Sequence, residues 1–375
     1  MKLFECQSCG QPLYFENTRC ESCGLQLGYL PSKEAVTALR EDKAGLQALA
    51  DSKLYRYCAN RQHDGCNWLI PADSAEQFCV ACQHNRTIPD LSLLENAANW
   101  RKIEIAKHRL FYTLLKLRLP IATRTEDPEN GLAFDFLAHP LPNSAAVLTG
   151  HASGLITISL AEADDSERER QRREMGEPYR TLLGHFRHEI AHYYWDRLVR
   201  DQPGLLDEFR GVFGDERQDY TAALQRHYAS GPPPDWSEQF VTAYASVHPW
   251  EDFAECWAHY FHMVDTLETA GAFGLHLRPK ANKDLATTIN FDPHTATMDR
   301  IIDSWLPLAF AVNSINRSMG IADLYPFVLT PTIIVKLSFI HDRIHAVQGQ
   351  PSTDLGALWA VIAGLKRAIG VPDSR

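Results

Sequence analysis

The sequence predicts an α+β protein, mainly helical, with a small β-sheet in its body and a cysteine-rich module in front of it. Three observations carry this. Eight of the nine cysteines fall before residue 83: Cys6, Cys9, Cys20, Cys23, Cys58, Cys66, Cys79 and Cys82. Apolar residues at helical spacing run from about Leu91 to Leu119. One clear strand pattern, Gly154 to Leu160, precedes a segment whose spacing turns helical from Tyr179 onward.

The chain has 375 residues, enough for a small module and one large domain, and we expect a division into residues 1–90 and 91–375. Its net charge of -10 does not favour nucleic acid or an anionic membrane as partner. No run of about 18 apolar residues exists, so no membrane span is expected. The start, Met1 to Cys9, lacks the apolar core of a secretory signal. A cytoplasmic, reducing location follows as the expectation, and clustered cysteines in such a compartment read as metal ligands.

In the module, Cys6-x-x-Cys9 is followed by Cys20-x-x-Cys23, two knuckles that a hairpin can bring together as a four-thiolate zinc site. Gly10 and Gly24 stand just after the knuckles, where a left-handed turn is needed. A second set, Cys58, Cys66, Cys79 and Cys82, predicts a second four-thiolate site, with His63 and His84 as substitutes. Residues 34–53 read as a short polar helix joining the two halves. Residues 1–90 hold nine Lys and Arg against eleven Asp and Glu, which is not the basic footprint of a phosphate-binding ribbon. A structural or protein-binding role is the expectation for this part.

Next comes the helical run, with Leu94, Ala97, Trp100, Ile103, Leu110, Leu114 and Leu117 on its apolar side and Pro120 ending it. Gly131 to Leu137 alternates at its centre and reads as a strand. In Gly154 to Leu160, Ile156, Ile158 and Leu160 share one face. Glu162 to Glu177 is a charged, solvated helix or loop. Gly231 to Pro234 marks a turn. The last hundred residues give amphipathic helices and no readable chemistry.

The chemistry lies in Leu182 to Asp196, which contains His188-Glu-Ile-Ala-His192. Positions i and i+4 put both imidazoles on one helix face, where one zinc ion can take a nitrogen from each. Glu189, offset by one position, can serve as general base toward a water at the metal. Leu182, Leu183, Phe186, Ile190, Ala191, Trp195 and Leu198 make the helix a buried one, and burying such groups unpaired would be costly. Catalytic zinc usually takes three protein ligands. The best third is Glu251, at the start of a helix opened by Pro249, with Glu255 one turn on to orient a ligand histidine. Glu216 is the rival. His259 and His262 follow on the same helix as core or cleft residues, and His185 borders the motif unassigned.

This pattern resembles the gluzincins, metallopeptidases with His-Glu-x-x-His and a downstream glutamate ligand. Tyr244, seven residues before Glu251, with Glu251-x-Phe253-Ala254-Glu255, resembles the third-ligand region of the anthrax lethal factor group. That resemblance makes Tyr244 the candidate oxyanion stabiliser. Over nearly the whole chain, the cysteine-rich start, Phe78 to Pro89, the motif helix, Phe213 to Arg217 and His248 to Phe253 resemble the bacterial family of zinc-binding metallopeptidases with an N-terminal zinc ribbon. The resemblance implies a zincin-like core, with Gly154 to Leu160 as the edge strand on which an extended peptide pairs, one catalytic and two structural zinc ions, and a peptide or protein substrate. The competing expectation is a non-catalytic scaffold that docks a protein partner through its ribbons.

Overall fold

The computed structural model describes residues 2–138, 149–174 and 181–349, together with positions 353, 361 and 364. Helices make up about half of the molecule, and the sheets are small. By packing, the chain divides into Met1–Lys116 with Pro120–Gln171, and Leu117–Leu119 with Arg172–Arg375.

The first unit opens with the two-stranded pair β1 (Phe4–Glu5) and β2 (Pro12–Leu13). An antiparallel sheet follows in simple chain order: β3 (Gln26–Leu30), β4 (Ala35–Asp42), β5 (Gly45–Ala48), β6 (Leu54–Tyr57) and β7 (Leu69–Pro71). The sheet curls until Tyr29 bridges Trp68. Residues 34–53 are therefore strands, where a polar helix was expected. Val36, Thr37, Ala38 and Leu39 are all buried, so this short stretch is wanted on both faces of a sheet. The charges that make it look polar, Arg40 to Lys43, sit at the exposed end of the hairpin. Tertiary burial outweighs local propensity here.

The second sheet of this unit runs β10-β11-β9-β8, from β8 (Asn85–Thr87), β9 (Ala133–Leu137), β10 (Gly150–Ala152) and β11 (Leu155–Ser159). β9 pairs in parallel with both β8 and β11. Ile156 and Ile158 face the core as their alternation requires. The strand expected at the sheet edge is not the edge, however. β10 folds back on β11 through Ser153 and Gly154, both at positive φ (46° and 80°), and becomes the outer strand. Two left-handed residues in a row suit the tightest hairpin turn.

Helix α1 (Leu94–Lys116) spans the predicted run and buries Trp100, Ile103, Phe111, Tyr112 and Leu114. Tyr112 joins Phe15 and Tyr29 in an aromatic cluster, with ring centroids 5.5 Å and 6.2 Å away. Through α1 and the β8–β9 pairing, residues beyond 90 pack as one body with the cysteine module. Packing and the sequence pattern thus divide the chain at different places. The charged helix α2 (Asp165–Glu174) closes this part.

The second unit is helical. α3 (Leu182–Trp195) starts at Thr181, whose hydroxyl accepts from the Gly184 amide at 3.0 Å. It runs on into a π-helical turn, Asp196–Arg200. After α4 (Leu205–Phe213), α5 (Tyr220–Ser230) and the single turn α6 (Trp236–Gln239) comes the central helix α7 (Pro249–Ala272). Pro249 occupies its first turn, and the His248 ring caps the Trp250 amide at 3.1 Å. The small pair β12 (His276–Leu277) and β13 (Thr287–Thr288) leads to α8 (Met298–Ser318) and α9 (Pro331–Ala346).

α7 packs along α3 and also meets α4, α8 and α9. Tyr194 of α3 stacks on Trp257 of α7, with centroids 5.0 Å apart and planes 13° apart. Phe209, Phe213, Phe253 and Phe339 extend that core. Among the described residues, no helix is long and apolar enough to cross a membrane.

Candidate metal centres

The α3–α7 packing brings the motif together with Glu251. Oε2 of Glu251 lies 2.9 Å from Nε2 of His188 and 3.7 Å from Nε2 of His192. One ligand-type atom from each of the three lies within 4.8 Å of the others. His192 and Glu251 are buried, and His188 is half-buried. The arrangement fits a metal ion on its own evidence. Glu251 Oε2 is sealed from solvent, accepts no hydrogen bond, and points between two imidazoles. Its partner oxygen Oε1 accepts a 2.8 Å hydrogen bond from the Tyr220 hydroxyl, which aims the carboxylate.

Glu255 stands behind His188. Its Oε1 is 2.7 Å from Nδ1 of that ring, and its Oε2 accepts from Thr242 Oγ1 at 2.7 Å. A carboxylate at Nδ1 requires the proton there and leaves the Nε2 lone pair facing Glu251. The Trp250 ring lies 3.8 Å from the His192 ring, centroid to centroid, and covers it.

Charge is tightly coupled at this spot. Burial works to raise the Glu251 pKa, but His192 and His188 outweigh it and hold the carboxyl at about 2. Burial likewise works against a charged His188, yet Glu251 and Glu255 push its pKa well up. The pocket thus holds anions firmly and draws positive charge to the imidazoles. A cation held by all three residues would satisfy the same field.

Glu189, next to His188 on α3, is half-buried, and its charge reaches the Tyr220 hydroxyl. The Tyr244 ring is 6.0 Å from that of His188. Burial, then the Glu251 charge, drives the Tyr244 phenol far above its ordinary value, so it stays a neutral donor. The rival ligand Glu216 is elsewhere: Arg210 grips it through two bonds of 2.9 Å and 2.5 Å. His259 is buried against the Tyr325 hydroxyl at 2.7 Å, and burial holds it down at about 4. His262 contacts Arg187, and His185 is half-buried one turn before the motif.

In the first unit, Cys6, Cys9, Cys20 and Cys23 converge, with Cys9 Sγ 3.5 Å from Cys20 Sγ and Cys6 Sγ 3.7 Å from Cys23 Sγ. Each knuckle closes with a glycine amide donating to the first cysteine carbonyl, at 2.9 Å for Gly10 and 2.8 Å for Gly24. Cys9 and Cys23 are exposed. Cys58, Cys66, Cys79 and Cys82 form the second cluster, entirely buried. Neither substitute ligand joins it. His63 sits against Trp100, and His84 Nδ1 bonds the Leu132 carbonyl at 2.9 Å.

Instead α1 presents His108, which no spacing suggested. Its Nε2 lies 3.2 Å from Cys66 Sγ and 3.6 Å from Cys82 Sγ, while Nδ1 donates to the Glu104 carbonyl at 2.6 Å. Lys107 and Glu104 are buried beside it, 2.8 Å apart. The only linear signal was the set of polar residues Glu104, Lys107 and His108 interrupting the buried side of α1. Tyr220 and Thr242 were also unforeseen, and nothing in their sequence neighbourhoods marks them.

Comparison with known proteins agrees with this layout. The model of a family described as "Putative zinc-binding metallo-peptidase" matches residues 96–343, and that of a zinc-ribbon domain matches residues 3–93. The chain belongs to this metallopeptidase family. An uncharacterized protein of Mycobacterium tuberculosis strain H37Rv is 43% identical over 357 residues, covering 92% of this chain and 96% of the relative. An uncharacterized protein of Mycobacterium bovis matches to the same extent. No solved structure matches the chain.

Proposed function

We propose that this family member is a gluzincin-type zinc metallopeptidase with a zincin-like core, hydrolysing peptide bonds in the bacterial cytoplasm. The observation that carries the reading is the convergence of His188 Nε2, His192 Nε2 and Glu251 Oε2, with Glu189 next to His188 on the same helix. These three side chains would hold the ion. Zinc bound there supplies Lewis acidity, lowering the pKa of a water and polarising the scissile carbonyl.

The protein's own groups do the rest. Glu189 accepts the proton of the attacking water and returns it to the leaving amine. Tyr244, kept protonated by burial, donates a hydrogen bond to the oxygen on which negative charge develops. Glu255 and Thr242 hold the His188 ring in the tautomer that offers Nε2. Tyr220 fixes Glu251, and Trp250 covers His192. The two thiol clusters, with no donor of another kind among their four cysteines, suit two structural zinc ions.

The test is Glu189→Gln in the full chain, assayed by mass spectrometry on a proteome-derived peptide library. Loss of a general base predicts cleavage slower by about 10²–10⁴-fold, with metal content and circular dichroism unchanged. Cleavage at the wild-type rate overturns the reading.

A further inference from the structure

A second group of ligand-type side chains lies in the helical unit, apart from the α3 histidines. Asp265 and Glu268 stand at i and i+3 on α7, and His294 follows β13 in the turn that leads to α8. One oxygen of each carboxylate and one ring nitrogen lie within 4.8 Å of one another. Asp265 and His294 are buried, and Glu268 is half-buried with its Oε2 sealed from solvent.

His294 is the telling residue, at 2% exposure. Both its backbone amide and its Nδ1 lie 2.9 Å from Asp292 Oδ1. A carboxylate there takes the Nδ1 proton and turns the Nε2 lone pair inward. Nε2 is buried and has no hydrogen-bond partner, and the nearest carboxylate oxygen across from it, Asp265 Oδ1, is 3.8 Å away. That is too far for a hydrogen bond. It is close to the separation of about 3–4 Å between two ligands of one ion when each bond is about 2.1 Å.

Arg187 binds Asp265 Oδ2, and Asp292 adds a third carboxylate at the rim.

We propose that Asp265, Glu268 and His294 form a second mononuclear site for a divalent transition-metal ion, with Asp292 orienting His294. One imidazole with two carboxylates suits Zn²⁺ or Mn²⁺ better than the all-oxygen preference of Ca²⁺ or Mg²⁺. The ion clamps the turn before α8 onto α7. Through Asp265 and Arg187 it also ties that turn to α3, at the residue before His188. The rival arrangement has no ion. Burial then works against a charged His294, but Asp265 and Asp292 outweigh it and hold the ring protonated up to about 9.

The experiment counts metal per chain by plasma mass spectrometry on the full-length protein purified without chelator. Wild type is compared with H294Q, E268Q, E251Q and the double variant E251Q/H294Q. Expected are about one divalent ion fewer in H294Q and in E268Q, and a further one lost in the double variant relative to E251Q. The thiol-bound zinc serves as the internal control for folding, and E268Q, nearly isosteric, stands in if H294Q does not fold. An unchanged count in E268Q and in whichever H294Q protein folds overturns the proposal, even if E251Q loses its ion. A loss in H294Q with none in E251Q supports this site and sinks the peptidase centre instead. Mn²⁺ added to E251Q, followed by electron paramagnetic resonance, should give a bound signal that E251Q/H294Q lacks. The same signal in both also overturns the proposal.

Discussion

The buried thiol cluster on α1 and the His–Glu centre between α3 and α7 are built from similar parts to different ends. Each sits beside a helix that contributes an imidazole, and each has charged side chains buried around it. The thiol cluster has four like donors and so a complete shell, and what surrounds it is packing and fixed charge: His108, Lys107, Glu104 and Trp68. The His–Glu centre has three donors, and around it stand groups able to donate or accept a proton: Glu189, Tyr244 and Tyr220. A closed shell holds a fold, while an open one leaves a position for chemistry.

The comparison is most easily broken at the thiol cluster. Cys66→Ser removes a fully buried ligand of a closed shell. Structural zinc contributes roughly 10 kcal/mol in small zinc modules, comparable to the entire stability of a domain. Loss of the near-ultraviolet circular dichroism of the first unit and of soluble yield is expected. Glu251→Gln should lose its own ion and keep the spectrum. Equal collapse in both variants would erase the distinction between fold-holding and open centres.

A smaller effect sharpens the other side. Glu255→Gln weakens the hold on the His188 Nδ1 proton while keeping the shape of the side chain. Orienting residues of this kind contribute about 10–100-fold in metal affinity. Competition with a chromogenic chelator should show zinc bound that much more weakly, with thermal stability nearly unchanged. Unaltered affinity would remove Glu255 from the machinery.

The smallest effect belongs to the half-exposed thiol cluster. Gly24 holds φ +77°, and an added methyl group would meet only the Arg19 guanidinium, at an ordinary contact distance of 3.5 Å. Gly24→Ala therefore costs only the left-handed backbone strain, about 1–2 kcal/mol. A melting temperature lower by a few degrees, with zinc content intact, is the expected outcome. Loss of the zinc would mean that the knuckle geometry tolerates far less than the spacing implies.

Legibility followed sequence distance. The two knuckles, the His188–His192 pair and the Pro249 helix start were readable because each is set within one or two turns of chain. The polar helix expected at residues 34–53 failed because burial on both sides of a strand is a property of neighbours, not of local composition. The edge position of β11 failed likewise: only the Ser153–Gly154 turn, in three dimensions, lays β10 outside it.

The sequence by itself determined which atoms could bind metal: eight clustered thiols, six of them in Cys-x-x-Cys pairs, two imidazoles one turn apart, and a glutamate opening a later helix. These are matters of residue type and short spacing, which helical and knuckle geometry convert directly into position. Only the tertiary structure decided which distant groups complete each centre. It placed Glu251 and not Glu216 against the imidazoles, set His108, and not His63 or His84, beside the four buried thiols, and brought His294 to Asp265 and Glu268. Those pairings depend on which helix faces pack together, and packing is settled by the whole apolar surface and not by any one motif.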